Sequence, residues 1–222
     1  MAKKKHKIGE KYRIDLPESS EWSLEDLYIF PHTYEQCYTF VYCLDTDLPA
    51  SDKEAIDSAF ARYPWKGGYS YVNFYQILRT RIPLKSRPKL ASMHKASPGW
   101  IELALNLDVA VEVAKSVALM SGSFVACAAA YKKAWTLLLS IRTEREKARN
   151  LQLQLRQSQI KAIRGTCEEL AKCLGFKSLS ELHKRTDNPE VSLKLLAAHY
   201  RRMRTLHEYS SKNKIDLPTD DV

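Results

Sequence analysis

The chain has 222 residues, enough for one large domain or for one domain with a helical extension. A hydrophobic fraction of 45%, with four Trp, twelve Tyr and six Phe, excludes wholesale disorder because these side chains can build a core. Lys and Arg number 35 against 26 Asp and Glu, and the resulting charge of +9 favours an anionic partner, either nucleic acid or a membrane surface.

The first residues, Met-Ala-Lys-Lys-Lys-His-Lys, predict a basic arm over residues 1–11, and no apolar stretch of a secretory signal follows them. Residues 12–99 predict a small α+β domain rich in aromatic side chains. Ser23 begins a helix in this domain, and Pro31 is expected to break it. The other expected elements are a strand over residues 12–16, helices over 33–44 and 51–63, a turn over 63–69 and a strand over 89–94.

The composition changes after Gly99, and residues 100–164 predict an apolar helix followed by a basic one. Positions 103–131 read LALNLDVAVEVAKSVALMSGSFVACAAAY. On one helix, Asp108, Glu112 and Lys115 would fall within a sector of about 60°, and the rest of the circumference would be almost wholly apolar. Such a helix must be enclosed by protein or by lipid, so a soluble core helix and a membrane segment both remain open.

The membrane interpretation rests on the sixteen uncharged residues from Ser116 to Tyr131. This length is slightly short of the roughly twenty residues that span a bilayer core, although lysines at the ends can lengthen the span by snorkelling. The side chains expected to insert are Val117, Leu119, Met120, Phe124 and Val125. The soluble interpretation has its own support, since the many small residues would let neighbouring helices approach closely.

A basic flank follows the apolar stretch, with seven Arg or Lys against Glu144 and Glu146 between Arg142 and Arg164. It predicts a polar helix over residues 143–161 and is typical of a cytoplasmic juxtamembrane segment. The expected basic contacts in this flank are Arg142, Arg145, Lys147 and Arg149.

Residues 165–215 predict a C-terminal helical region with helices over 166–174, 178–184 and 189–209, and residues 216–222 predict a frayed acidic tail. Arg201, Arg202 and Arg204 form a basic patch on the last of these helices, which could contact phosphates. The sequence as a whole predicts an α+β, mainly helical fold.

Motifs that would indicate an enzyme are absent from the sequence, which holds no Gly-rich phosphate loop, GxSxG, HExxH or metal-spaced Cys/His cluster. The cysteines are odd in number, form no CxxC pair and are interpreted as free thiols in a reducing compartment. We therefore expect no catalytic residues, no cofactor and no metal.

The segments Tyr-Pro-Trp-Lys-Gly-Gly-Tyr-Ser (63–70) and Ala-Ser-Pro-Gly-Trp-Ile-Glu-Leu (96–103), with the apolar and charged helices, resemble a group of small bacterial proteins. The arrangement is also similar to the membrane effectors encoded beside retron reverse transcriptases in anti-phage defence. Such effectors typically have two membrane helices, whereas here residues 134–141 are too short for a second one. The resemblance implies a toxin of abortive infection on the cytoplasmic side of the inner membrane, held inactive by a partner.

Two hypotheses follow. In the first, the protein is a non-enzymatic effector of antiviral defence that inserts an apolar transmembrane helix into the inner membrane. Its partners would be membrane lipid, a reverse transcriptase–nucleic acid complex and further copies of the chain. In the alternative, it is a soluble cytoplasmic accessory protein that binds nucleic acid or a nucleoprotein through its basic C-terminal helices.

Overall fold

The computed structural model describes residues 8–17, 21–44, 48–62, 72–96, 98–150, 153–176 and 179–219. In these ranges the chain forms three strands and eight helices, and the predicted α+β, mainly helical class is confirmed. The order is β1 (Ile8–Leu16), α1 (Leu24–Leu44), α2 (Ala50–Arg62), α3 (Val72–Arg81), β2 (Lys89–His94), β3 (Gly99–Asn106), α4 (Leu107–Gly122), α5 (Phe124–Lys147), α6 (Gln157–Cys173), α7 (Ser180–Thr186) and α8 (Pro189–Ser211).

The three strands form one antiparallel sheet in the order β1-β3-β2. Tyr12, Ile14 and Leu16 alternate along β1 and are buried, since successive strand residues point to opposite faces. Helix α4 packs against β1 and β3, which closes this face of the sheet over the core. Strand β2 lies at the other edge, and its side chains remain largely exposed.

Helix α1 continues through Pro31, so the predicted break at that proline is wrong. The helix begins with reciprocal hydrogen bonds: the Asp26 amide donates to Ser23 Oγ at 3.1 Å, and the Ser23 amide donates to Asp26 Oδ2 at 2.8 Å. Proline removes one backbone donor, but Phe30 and Tyr34 on the adjoining turns are buried and fix the helix against the core. Tertiary packing therefore overrides the local signal.

Helix α8 is the central helix of the core. It begins at Asn188, whose side-chain oxygen accepts hydrogen bonds from the Glu190 and Val191 amides at 2.9 and 3.3 Å. Thirteen of its residues are buried, and it packs against α1, α4, α5, α6 and α7. The remaining helices therefore share one core rather than forming separate bundles.

The predicted single helix over residues 103–131 is wrong, because three elements occupy that stretch. Leu103 and Leu105 belong to β3, the central strand, where they alternate with Glu102 and Ala104. The helix begins only after Asn106, whose side chain accepts a hydrogen bond from the Val109 amide at 3.4 Å. It ends at Gly122, a poor helix former, and the single residue Ser123, at φ −135° and ψ 27°, separates α4 from α5.

The predicted polar helix over residues 143–161 is also wrong. Helix α5 ends at Lys147, Arg149 takes a left-handed backbone at φ 50°, and α6 begins at Gln157. The start of α6 is fixed by Gln159, whose side-chain oxygen accepts a hydrogen bond from the Arg156 amide at 2.9 Å. The helix then runs through Gly165, so its start lies well before the predicted residue 166.

Two of the predicted segment boundaries also differ from those in the structure. Residues 8–11 belong to β1 rather than to a loose basic arm, and the boundary expected at residue 99 falls at the start of β3, inside the sheet. The tail is anchored at Asp216, which forms a β-bridge with Asp15, and Tyr12 Oη donates to the Pro218 carbonyl at 2.9 Å. The helices predicted over 51–63 and 189–209 and the strand over 89–94 are confirmed, whereas the turn at 63–69 and residues 1–7 lie outside the described residues.

Tyr38 joins α1 to two other parts of the core. Its hydroxyl donates to the Ser86 carbonyl at 2.7 Å and accepts from the Asn106 amide at 3.0 Å. We expect Tyr38→Phe to lower the free energy of unfolding by about 1–3 kcal/mol, since both backbone groups would remain buried without that partner. Urea denaturation measures the change. Tyr28→Phe, at an exposed tyrosine, is the control and should have almost no effect; equal stability of the two variants would contradict this role.

Candidate functional site

Helix α5 is unusual in being both long and apolar while lying at the surface. Its 24 residues correspond to a length of about 36 Å at 1.5 Å per residue. Among the described residues, it is the helix whose length and composition would allow it to cross a membrane, and 22% of its apolar window is buried. A core helix of a soluble protein would be mostly buried, so α5 has more apolar surface than this fold uses.

The fully buried part of α5 is one narrow stripe, beside which Tyr131, Leu137 and Leu138 pack against the core as partly buried side chains. The stripe consists of Cys127, Ala130, Ala134 and Ile141, at the three- and four-residue spacings that share one side of a helix. This side packs against α6 and α8. Because three of the four side chains are small, each removes little apolar surface from water, and the stripe holds α5 less firmly than a row of leucines would.

Polar and aromatic contacts supplement the narrow stripe. Lys133 Nζ lies 2.5 Å from Glu169 Oε1 on α6, and the Tyr131 ring stacks on the Tyr200 ring of α8 with centroids 4.6 Å apart. Both side chains of the Lys133–Glu169 pair are about half exposed, so water screens this ion pair. These contacts keep one side of the helix on the core and leave the other side outward.

The outward side of α5 carries an apolar face, which we define as Phe124, Val125, Ala128, Trp135 and Leu139. Apart from Val125, these residues fall within a sector of about 60° on a helical projection. Val125 is adjacent to this sector and is 83% exposed, while Leu139 is 47% exposed. Large aliphatic side chains at this exposure are a feature of surfaces that meet lipid or another protein.

The residues predicted to insert into a membrane fall into an exposed group and a buried group in the structure. Leu119, Phe124 and Val125 are exposed at the junction of α4 and α5, where the Phe124 ring packs 4.8 Å from the His207 ring. Val117 and Met120 are buried, which corrects the prediction for these two positions. The reason is the placement of α4 between the sheet and α8: nine of its sixteen residues are buried, so α4 is a core helix of this fold.

Arg145 has a partner inside the protein. Its Nη1 and Nη2 donate to Glu190 Oε1 and Oε2 at 2.9 and 2.7 Å, and Lys194 Nζ lies 2.7 Å from Glu190 Oε1. Burial would raise the pKa of Glu190, but the hydrogen bonds from Arg145 and Lys194 hold it below its ordinary value. This cluster fastens the C-terminal end of α5 to the start of α8.

The other predicted basic contacts on α5 lie closer to water. Arg142 pairs with Glu146 one turn later, with Nε and Oε1 2.6 Å apart and both side chains about half exposed. Lys147 and Arg149 are exposed at the end of the helix. These three cations lie where an external anion could reach them, whereas Arg145 does not.

The arginines of α8 do not form one open basic patch. Arg202 donates to the Gln36 side chain, and its guanidinium carbon lies 3.9 Å from the centre of the Tyr75 ring. Arg204 Nε lies 3.2 Å from Glu208 Oε1, and Arg201 is half-buried. The prediction that all three contact phosphate therefore has little support from their surroundings.

Sequence reasoning missed Glu169 and Glu190, the two carboxylates that secure α5. They lie 36 and 45 positions from their cationic partners, and no local spacing could have paired them. The exposed side of α5 did leave a signal in the uncharged run that continues from Ala134 to Ile141 beyond Lys133. By itself this run of eight residues is too short to span a membrane, so the sequence does not mark α5 as one long apolar helix.

Comparisons of the chain with family models, with curated proteins and with solved structures find no match. They therefore leave the resemblance to retron-associated effectors as a prediction. The case for function depends on the residues and contacts described above.

The Glu190 cluster makes stability depend on pH. Because the pKa of Glu190 is lowered by folding, this carboxylate stabilises the protein at neutral pH, and the contribution is lost as pH falls through its folded pKa. We expect Glu190→Gln to lower the free energy of unfolding by about 1.5–3 kcal/mol at pH 7, through lost hydrogen bonds to a charged group. The difference from the wild type should shrink in acid, where both side chains are neutral.

Denaturant unfolding at pH 7 and at several acidic pH values measures the difference in free energy of unfolding between the wild type and Glu190→Gln. Glu146→Gln is the control, because its exposed pair with Arg142 contributes only about 0.2–0.5 kcal/mol. If the difference in free energy of unfolding stays constant or grows as pH falls, the role given to Glu190 is contradicted.

Proposed function

We propose that this protein is a non-enzymatic membrane-active protein that inserts the apolar face of α5 into an anionic lipid surface. The observation that carries the proposal is the exposure of this face on a helix of transmembrane length and composition. An interfacial helix is expected to combine an exposed apolar side with nearby cations, and Lys132, Lys147 and Arg149 supply those cations.

The position of the lysines favours shallow insertion. Lys132 and Lys133 lie near the middle of the apolar stretch of α5, where a charge costs about 2.5–3.5 kcal/mol when the helix spans the bilayer. A helix lying in the plane of the interface avoids this cost, since its lysine side chains can extend to the headgroups. Trp135 suits the same depth, because its ring combines an apolar body with a polar N–H group.

Charge supports an anionic rather than a neutral surface. The chain carries a net charge of +9, and each Lys or Arg near an anionic bilayer contributes about 1 kcal/mol of attraction. Exposed Lys147 and Arg149 follow directly after the apolar face. The inner membrane, approached from the cytoplasmic side, is the site of action that we propose.

Nucleic-acid binding through the C-terminal helices is the less favoured function, because Arg145, Arg202 and Arg204 already have partners within the protein. Control by a partner and a role in anti-phage defence are further proposals, supported by the resemblance of the sequence alone. Plaque assays on cells with and without the gene would test the defensive role.

Leu139→Glu tests the apolar face directly. The side chain is already half in water, so the variant should fold normally, as checked by circular dichroism and thermal unfolding. Burying a leucine contributes about 1.5–3 kcal/mol, so we expect at least a tenfold loss of dye release from vesicles of phosphatidylglycerol and phosphatidylethanolamine. Val125→Glu should act in the same direction.

Leu24→Glu is the matched control, because Leu24 is an even more exposed leucine that lies on α1, away from α5 in sequence. It makes the same chemical change and should leave dye release unchanged. The proposal fails if the wild-type protein releases no dye, or if Leu139→Glu and Leu24→Glu release it equally well.

A further inference from the structure

A second basic surface lies on the segment that joins α3 to the sheet and forms β2. Residues 79–95 contain six Lys or Arg and no Asp or Glu. We refer to residues 79–95 as the basic segment. A run of this composition attracts anions without internal compensation, and none of its residues was assigned to a function above.

Two of its six cations have structural roles. Arg79 Nε lies 2.7 Å from Glu35 Oε1 on α1, and the Arg87 guanidinium donates to the Ile82 and Thr80 carbonyls at 2.9 and 3.1 Å. These contacts fix the turn between α3 and β2. The segment is thereby presented as a shaped surface rather than as a loose chain.

The other four cations face water. Arg81, Lys85, Lys89 and Lys95 are exposed, and none of them forms an ion pair within the ranges that the structure describes. Their attraction for an external anion is therefore not reduced by a carboxylate partner in those ranges.

Large apolar side chains lie among these cations. Leu84 is 69% exposed and Leu90 is 63% exposed, and Met93 is also exposed. These three residues occupy the turn and β2, so apolar and basic side chains share one part of the surface.

The sheet explains why Leu90 and Met93 remain uncovered. Leu90 is the cross-strand partner of Leu103, and Met93 is the partner of Ile101, whose side chain is buried. Cross-strand partners point to the same face, so Leu90 and Met93 lie on the face that β1 and β3 turn toward α4. Helix α4 packs against β1 and β3, and this leaves the β2 edge of the apolar face open.

The chemistry of this surface selects among anionic partners. Nucleic acid is usually held by cations together with aromatic rings or arginine planes that stack on bases. Here the three exposed apolar side chains are not aromatic, because the stacked His94 and Trp100 rings lie on the opposite face of the sheet. Two of the three cations near them, Lys85 and Lys95, are lysines. Lysines that frame aliphatic side chains suit a lipid surface, where the chains enter the interface and the amines meet phosphate headgroups.

We propose that Leu84, Leu90 and Met93, together with Arg81, Lys85 and Lys95, form a docking surface for an anionic lipid bilayer. Lys89 is the cross-strand partner of Ala104 and points to the opposite face of the sheet, so it is not part of this surface. This inference rests on the proposed function only for its choice of partner, since it concerns residues outside α5. Docking would hold the protein at the membrane, and the apolar face of α5 would disturb the bilayer.

The test is co-sedimentation of the full chain with vesicles of equal parts phosphatidylglycerol and phosphatidylethanolamine, with pure phosphatidylcholine vesicles as the uncharged comparison. We expect the double variant Lys85→Gln/Lys95→Gln to bind the anionic vesicles at least tenfold more weakly. Leu90→Ser should weaken binding by a similar factor. The matched control is Lys184→Gln/Lys212→Gln, which removes the same charge from exposed positions on other elements and should bind as the wild type does.

Equal binding of the two double variants would overturn the inference. So would tight binding of the wild type to a single-stranded oligonucleotide that depends on Lys85 and Lys95, together with no binding to vesicles. Leu139→Glu separates this inference from the function of α5, since it should sediment with vesicles normally while releasing little dye. If dye release is normal and the Lys85→Gln/Lys95→Gln variant binds vesicles as the wild type does, the docking surface is contradicted and the function proposed for α5 is not.

Discussion

The burial of α8 is the constraint on which the rest of this fold depends. Thirteen of its residues are enclosed, and α1, α4, α5, α6 and α7 all pack against it. Burial of this extent requires side chains from the surrounding helices. Helices α1 and α4 contribute many buried residues of their own to this packing. Helix α5 contributes the buried stripe that ends at Ile141 and the partly buried Tyr131, Leu137 and Leu138, and the rest of its side chains remain outside the core.

The neighbouring helices α4 and α5 thus differ in how far their apolar side chains are buried. Val113 and Val117 of α4 are enclosed between the sheet and α8, whereas Val125 and Leu139 of α5 remain in contact with water. The two helices differ in charge, since α4 carries three charged side chains and α5 carries seven, but both contain an uncharged apolar stretch. Their position relative to the filled core makes one of them structural and leaves the other available for an external partner.

Local signals in the sequence were sufficient where local interactions decide the structure. The start of α8 follows from the Asn188 cap and the proline after it, and β2 follows from its flanking loops. Long-range effects were not predictable: Pro31 is tolerated because buried aromatic residues hold α1 together, and Leu103 is a strand residue because β3 lies between two other strands. For the same reason, the Arg145–Glu190 pair and the burial of Val117 required the folded chain.

The single residue between α4 and α5 has a mechanical consequence. Because Ser123 alone connects the two helices, a movement of α5 away from the core would be a rotation about its N-terminal end. With a lever of about 36 Å, a rotation of about 10° would move the far end by about 6 Å and the near end hardly at all. The carboxylate of Glu190 accepts two hydrogen bonds from Arg145 close to that far end. A contact at this distance from the rotation point restrains such a rotation most effectively.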